Sequence, residues 1–467
     1  MKYISTRGQT PPMPFTDAGL TGLAPDGGLL VPERLPDLSG DLDRLTGLSY
    51  AELAFELFSH FIMDIPPEDL RGLVNRAYAE FRHPETAPTV RVGDHYILEL
   101  FHGPTLAFKD MAMQFLARFF EYELARRGEE LNILGSTSGD TGSAAIHGVK
   151  GKQGIRIFMM HPEGRTSPVQ ALQMTSVLDD NVYNLAVKGT FDDCQRIMKT
   201  LFADVPFKQR FQLGAVNSVN WVRVMAQIVY YFYSGLKVRK ETGAEKVQFS
   251  VPTGNFGNIL AGYYASQMGL PVSRLILATN ENDILARFVQ TGIYAGSQVS
   301  HTLSPSMDIQ VASNFERFLF ELLDGDGARV SEVMGEFARD GKADLSALMS
   351  HPALELVRAE RADTRETLEV IRKTWADENY LLDPHTAVGV CVGNRLRNED
   401  PLICLATAHP AKFVDAIKEA VGETPHHPVL DALEGAETRC DRLPADVEAV
   451  RGYLVSALEP ATPAGRG

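Results

Sequence analysis

Cysteine is scarce, basic charge is in deficit, and no apolar run is long. Each shortage removes a class of protein. Four cysteines in 467 residues, Cys194, Cys391, Cys404 and Cys440, are too scattered for a paired metal site or a disulfide framework. They suit a reducing cytoplasm. Forty-five basic residues against sixty acidic ones give a formal charge of −15. With no Lys/Arg stripe either, nucleic acid is excluded as the expected partner. No stretch is long and apolar enough to span a bilayer, and the start, Met1-Lys-Tyr-Ile-Ser-Thr-Arg-Gly8, carries no apolar signal region. Familiar motifs are missing as well. No Gly-Lys-Ser/Thr closes a phosphate loop, Gly-x-Gly-x-x-Gly is absent, and so is Gly-x-Ser-x-Gly. The twelve histidines show no His-x-x-x-His spacing, so no metal site is expected. His102 and His161 read as structural.

What is present is a repeated pattern of apolar strand, Gly-rich loop and helix, beginning at about residue 91. Leu131-Asn-Ile-Leu134 runs into Gly135-Ser-Thr-Ser-Gly-Asp-Thr-Gly142. Val247-Gln-Phe-Ser-Val251 runs into Pro252-Thr-Gly-Asn-Phe-Gly-Asn258. Ile155–Met160, Leu275–Ala278 and Leu402–Ala406 read as further buried strands. Alternation of this kind predicts an α/β fold with mostly parallel sheets. Ligands of such sheets sit beyond the carboxyl ends of the strands, where these loops fall. Residues 1–90 read as a separate N-terminal domain, with helices from about Tyr50 to His60 and from about Glu68 to Phe81. Residues 91–432 form the main region. It includes a smaller, mobile α/β subdomain at about 130–215 and a charged helical insertion at about 315–380. Residues 433–467 read as a C-terminal tail.

Five segments carry candidate chemistry. Lys109 ends the run Glu99-Leu-Phe-His-Gly-Pro-Thr-Leu-Ala-Phe-Lys-Asp110, at the start of a long amphipathic helix. The positive end of a helix and an apolar approach both ease loss of the ammonium proton, which suits Schiff-base chemistry with an aldehyde. The two glycines of Gly254-Asn-Phe-Gly-Asn258 let backbone approach a ligand, and the N–H groups at a helix start attract a phosphate. An ordinary strand-to-helix turn would look the same. Thr137, Ser138 and Thr141 put hydroxyls where a carboxylate or phosphate could be held. Arg223, in Asn217-Ser-Val-Asn-Trp-Val-Arg223, could grip phosphate in a bidentate fashion. Thr407 ends a buried strand, either as a cap or as a neutral partner for a ligand nitrogen.

In combination these motifs resemble the threonine synthases, pyridoxal-phosphate enzymes of fold type II in the tryptophan-synthase β-like superfamily. The resemblance runs from Ser5-Thr-Arg-Gly8 to about residue 420 and includes Ala278-Thr-Asn-Glu-Asn282. It is nearer to the long bacterial and fungal type than to the plant type. The fold it implies is two parallel-sheet α/β domains with a small N-terminal domain. The cofactor it implies is pyridoxal 5'-phosphate, bound through Lys109, with its phosphate on Gly254, Asn255, Phe256, Gly257 and Asn258 and its pyridine nitrogen against Thr407. Members of the superfamily often set an Asn against the cofactor's phenolic oxygen, whereas this chain has Asp140. The resemblance assigns substrate groups to Thr137, Ser138 and Thr141, and the substrate phosphate to Asn217, Ser218 and Arg223. The reaction implied is O-phospho-L-homoserine and water to L-threonine and phosphate, by a cytoplasmic monomer or homodimer. A related phospho-amino-acid lyase or a serine/threonine dehydratase is the competing reading.

Overall fold

The computed structural model describes residues 1–459, so positions 460–467 of the expected tail lie outside the described residues. The chain divides into two compact units. One holds residues 1–116 and 218–427, and the other holds 117–217 and the described C-terminal residues, 428–459.

The first unit is built on a six-stranded sheet. Its strands run in the order Val357–Arg361, Val272–Thr279, Val247–Pro252, Leu402–Ala406, His95–Glu99, Thr89–Val92. Every pairing is parallel except the last, where Thr89–Val92 runs antiparallel to its neighbour. The central strands Val247–Pro252 and Leu402–Ala406 are buried at every position, as expected where helices cover both faces. Ile97, Ile276, Cys404, Val388 and Val392 share one core beneath the helix Pro384–Leu396. That helix starts where Asp383 caps two backbone N–H groups and Pro384 presets the first turn. The longest helix, Trp221–Thr242, is capped by Asn220 and ends at Gly243, whose φ of 71° closes it in the left-handed region.

The N-terminal residues belong to this unit. Tyr3–Ser5 pairs antiparallel with Leu30–Pro32, and the Tyr3 hydroxyl donates to the Phe61 carbonyl at 2.9 Å. The helices there, Tyr50–Phe61 and Pro67–Tyr78, lie close to the expected bounds, and a Ser49–Glu52 capping box starts the first. Phe315, Phe318, Leu319 and Leu322 form the buried stripe of the helix Phe315–Leu322.

The second unit has an all-parallel sheet in the order Asp441–Pro444, Val182–Lys188, Ile155–Pro162, Leu131–Ser136, Leu213–Gly214. Phe158 stacks on Tyr183 with ring centroids 4.4 Å apart. The C-terminal helix Val447–Leu458 puts Val450 and Leu454 into this core beside Ile197 and Leu201. Two parallel α/β sheets are what the alternating sequence pattern predicts.

Candidate active site

Lys109 is held by the backbone on both sides. Ahead of it the chain leaves His95–Glu99 and turns at Gly103, where a Cβ would meet the Asp110 carboxylate at 2.6 Å. Asp110 accepts from the Thr105 N–H at 2.7 Å and from the Thr105 hydroxyl at 2.8 Å, and Lys412 Nζ donates to the Thr105 carbonyl at 2.8 Å. Burial raises the Asp110 carboxyl to about 6, against the pull of those hydrogen bonds and of Lys412. Leu106 then takes a φ of 60°, a conformation that side chains rarely adopt. This kink lets Phe108 N–H donate to the Thr407 carbonyl at 2.8 Å while His409 N–H donates to the Leu106 carbonyl at 3.0 Å. Lys109 and Thr407, about three hundred positions apart, are thus tied by a two-bond ladder. The helix Asp110–Arg127 starts at the next residue. Lys109 is buried, and its Nζ donates to Ser306 Oγ at 3.3 Å.

Gly254–Asn258 links the strand Val247–Pro252 to the helix Gly257–Gln267. Phe256 sits at φ 65°, and no side chain caps the helix start. A Cβ on Gly254 would stand 2.7 Å from the Ser306 carbonyl, so only glycine lets these two segments lie together. Asn258 Oδ1 receives the hydroxyls of Tyr230 and Tyr231, and its buried Nδ2 has no partner. Asn255 is fixed by Ser313 Oγ at 3.1 Å and by the Asn314 side chain on its carbonyl at 3.1 Å. Ser313 Oγ also meets Ser218 Oγ at 2.7 Å, which brings Ser218 to this loop.

Arg223 lies in the first turn of Trp221–Thr242. It is 4 % exposed, and its Nε and Nη1 have no hydrogen-bond partner. Burial pushes its guanidinium down to about 10. A buried, unpaired cation is costly unless an anion comes to it. One turn along the same face, the Gln227 amide oxygen is also buried and unpartnered, and it approaches Gly257.

The remaining expected residues fall in the second unit, after the strand Leu131–Ser136. There the Thr137 hydroxyl accepts from the N–H groups of Gly139 and Gly142, both at 3.0 Å. Asp140 opens the helix Asp140–Val149 and accepts from Gln170 Nε2 at 2.7 Å. Ser138 lies between them at the turn. Asn217 closes this part of the chain with a buried, unpartnered Oδ1. The structure therefore brings Lys109, Thr407, Gly254–Asn258, Ser218 and Arg223 into one unit. It places Thr137, Ser138, Asp140, Thr141 and Asn217 in the other. Ser306 and Gln227 were not singled out in the sequence. Ser306 sits in an unremarkable Ser-Pro-Ser-Met stretch, and Gln227 is one polar residue on a largely apolar helix.

Known proteins share this chain's sequence and fold. Residues 90–350 match the family described as pyridoxal-phosphate dependent enzyme. Residues 2–78 match the threonine synthase N terminus, and residues 386–454 the threonine synthase C-terminal family. The pyridoxal-phosphate-bound threonine synthase of Brucella melitensis superposes with a TM-score of 0.94 at 44% identity, over 98% of this chain and 100% of that one. The yeast threonine synthase superposes at 0.93 and 42% identity, over 98% of both chains. The family match and the fold thus define a pyridoxal-phosphate-dependent enzyme of fold type II. Threonine synthase of Methylobacillus glycogenes is 45% identical over 98% of this chain and 100% of its own length. The chain belongs to the threonine synthase family.

The residues present fit that cofactor on their own chemistry. A buried amine stands at a helix start, and beside it a loop offers uncapped N–H groups and the orphaned Asn258 amide, both donors to a phosphate.

Proposed function

We propose that this enzyme converts O-phospho-L-homoserine and water to L-threonine and phosphate. The observation that carries the substrate assignment is Arg223, a buried guanidinium with two N–H-bearing nitrogens left unpaired. A hydroxy-amino acid has no side-chain anion for it, whereas a phosphorylated one does.

Pyridoxal phosphate, when bound, supplies an aldehyde that holds an amine and a ring that takes up electrons released at carbon. The chain's own residues supply the rest. Gly254–Asn258 would hold the cofactor phosphate, Thr407 would serve the pyridine nitrogen, and Asp140 would serve the phenolic oxygen. Ser138 and Thr141 take the substrate carboxylate, on a loop shaped by Thr137. Lys109 Nζ, once released, would move the protons: it would take one from Cα and one from Cβ, deliver one to Cγ and return one to Cα. Arg223, with Asn217 and Ser218, holds the phosphate as its bond to Cγ breaks. Water then adds at Cβ, so the C–O bond lost at Cγ is replaced by one at Cβ. A hydroxyl at the pyridine nitrogen, in place of a carboxylate, would not keep that nitrogen protonated and would disfavour transamination.

The substrate is a small molecule, and among the described residues no helix is long and apolar enough to cross a membrane. The four free cysteines suit a reducing cytoplasm. Product analysis tests the reading directly. Purified enzyme, loaded with cofactor and given phosphohomoserine, should yield threonine and phosphate in equal amounts. Formation of 2-oxobutanoate and ammonia in their place would assign it to the phospholyases. Turnover of unphosphorylated serine or threonine at comparable kcat/KM would assign it to the dehydratases.

A further inference from the structure

We infer that Ser306 is a catalytic residue that receives the Lys109 amine, and that Asp383 and His385 are positioning residues that aim it. The inference deepens the proposed reaction and rests on Lys109 being its proton carrier.

Four features define the arrangement. Lys109 Nζ donates to Ser306 Oγ at 3.3 Å, so this hydroxyl touches the reacting atom. Ser306 N–H donates to His385 Nε2 at 3.2 Å. An Nε2 that accepts must be unprotonated, so the ring proton sits on Nδ1, where Asp383 Oδ1 accepts it at 2.9 Å. The other oxygen of Asp383 takes the Thr386 hydroxyl, and that hydroxyl accepts from Thr407 N–H at 3.3 Å. One buried carboxylate therefore has two arms. The first runs through His385 to the partner of Lys109, and the second runs through Thr386 to the strand end that carries Thr407. All three residues of this relay are almost fully buried, which strengthens the hydrogen bonds and fixes their direction.

The loop that carries Ser306 is held on its far side as well. Asp308 Oδ1 accepts from Asn280 Nδ2 at 2.8 Å, Asn282 Nδ2 at 3.0 Å and Thr302 Oγ1 at 2.7 Å. Asn280 and Asn282 belong to the Ala278–Asn282 motif, which the reaction itself leaves unused. With Gly254 pressed against the Ser306 carbonyl, the serine is fixed from three directions. A surface loop needs no such support. A hydroxyl that must meet a moving amine at one point does. Each time Lys109 carries a proton, Ser306 Oγ accepts a hydrogen bond from the ammonium and keeps Nζ in register with the next carbon.

The test combines steady-state kinetics with hydrogen exchange in the full-length enzyme. Ser306→Ala should lower kcat about 10-fold with KM for phosphohomoserine within about 3-fold, the pattern of a group acting after binding. His385→Ala should lower kcat by a similar factor. The double variant should be no slower than the slower single one, because both remove one arm. His385→Gln, which keeps an acceptor near the Nε2 position, should recover most of the loss. In cofactor-loaded enzyme without substrate, His385→Ala should speed amide exchange in a peptide covering residues 302–309 by at least about 10-fold. Ser306→Ala should leave that exchange unchanged. The inference is overturned by an unchanged kcat in Ser306→Ala, by multiplicative losses in the double variant, by a Gln variant as slow as the Ala one, or by unaltered exchange. If His385→Ala does not fold, Ser306→Ala and His385→Gln decide it. Borohydride reduction and peptide mapping of the cofactor-bearing lysine test the Lys109 reading separately.

Discussion

Two glycine-rich loops in this molecule follow a parallel strand and precede a helix, yet they are built in opposite ways. The 254–258 loop is shaped from outside. Its glycine lies against Ser306, its Asn255 is gripped by Ser313 and Asn314, and its Asn258 is turned by two tyrosines. The loop after Leu131–Ser136 is shaped mostly from within. Thr137 bonds the backbone of Gly139 and Gly142, a Cβ on Gly142 would meet Thr137 Cγ2 at 2.4 Å, and Gln170 holds Asp140. The first has a shape that depends on distant chain, as suits the resident cofactor proposed for it. The second keeps its shape through a few local bonds, as suits the transient substrate proposed for it. Similar local sequence does not imply similar mechanical support.

The strongest challenge to this contrast is removal of the group that both loops are proposed to serve. Lys109→Ala should abolish turnover and the near-visible absorbance of lysine-bound cofactor. Residual activity, read by phosphate release, would break the central assignment. Arg223 comes next. Arg223→Met removes an unpaired buried charge and keeps the volume, so kcat/KM for phosphohomoserine should fall by about 100-fold while Tm rises slightly. Cofactor affinity should stay unchanged. A weakened cofactor with normal substrate KM would move Arg223 to the cofactor phosphate.

Paired glycine substitutions sharpen the comparison itself. Gly254→Ala forces a Cβ onto backbone at 2.7 Å, where little can yield. It should cost about 1–3 kcal/mol of stability by urea titration and weaken cofactor binding. Gly142→Ala meets only side chains, those of Thr137 and Met174, so it should raise substrate KM and leave the cofactor equilibrium alone. Equal effects on cofactor affinity would erase the distinction between the loops.

The smallest expected effect on activity concerns His409, which follows Thr407 and whose Nδ1 accepts from Ala411 N–H. Burial lowers its imidazole to about 4. The unfolded chain takes up the proton at about 6.5, so unfolding binds protons between these values, and stability falls as pH drops through that window. His409→Asn preserves the cap without the titration. Its urea midpoint should therefore decline less than that of the wild type between about pH 6.5 and 4, with turnover at neutral pH little changed.

Much of this was legible in the sequence because the signals were local. Leu402–Ala406 and Val247–Pro252 are apolar runs between breakers, and burial on both faces makes such runs unmistakable. Lys109 stood out by its position at a helix start. Two strands gave no such signal. Val357-Arg-Ala-Glu-Arg361 is an edge strand, so alternate residues face solvent and charge hides the pattern. Asp441–Pro444 has no buried position and is defined by pairing with Val182–Lys188 alone. The site divides in the same way. Loop glycines and the lysine could be read from their neighbours, whereas Ser306 gains its meaning from His385 and Lys109, which are far away in the chain. In Asp383-Pro-His-Thr386 the aspartate caps a helix. Nothing in the four letters says that the same carboxylate steers two other residues.

The missing side chain at Gly254 links two equilibria. Since the 254–258 loop, proposed above to hold the cofactor phosphate, lies against the Ser306 carbonyl there, the two segments settle together. Any gain in order that a bound phosphate brings to one is felt by the other. Reciprocity then requires that a substitution loosening the Ser306 loop weaken cofactor retention by the same factor by which the cofactor steadies the loop. Loading the enzyme and aligning its proton carrier are, to that extent, a single thermodynamic event.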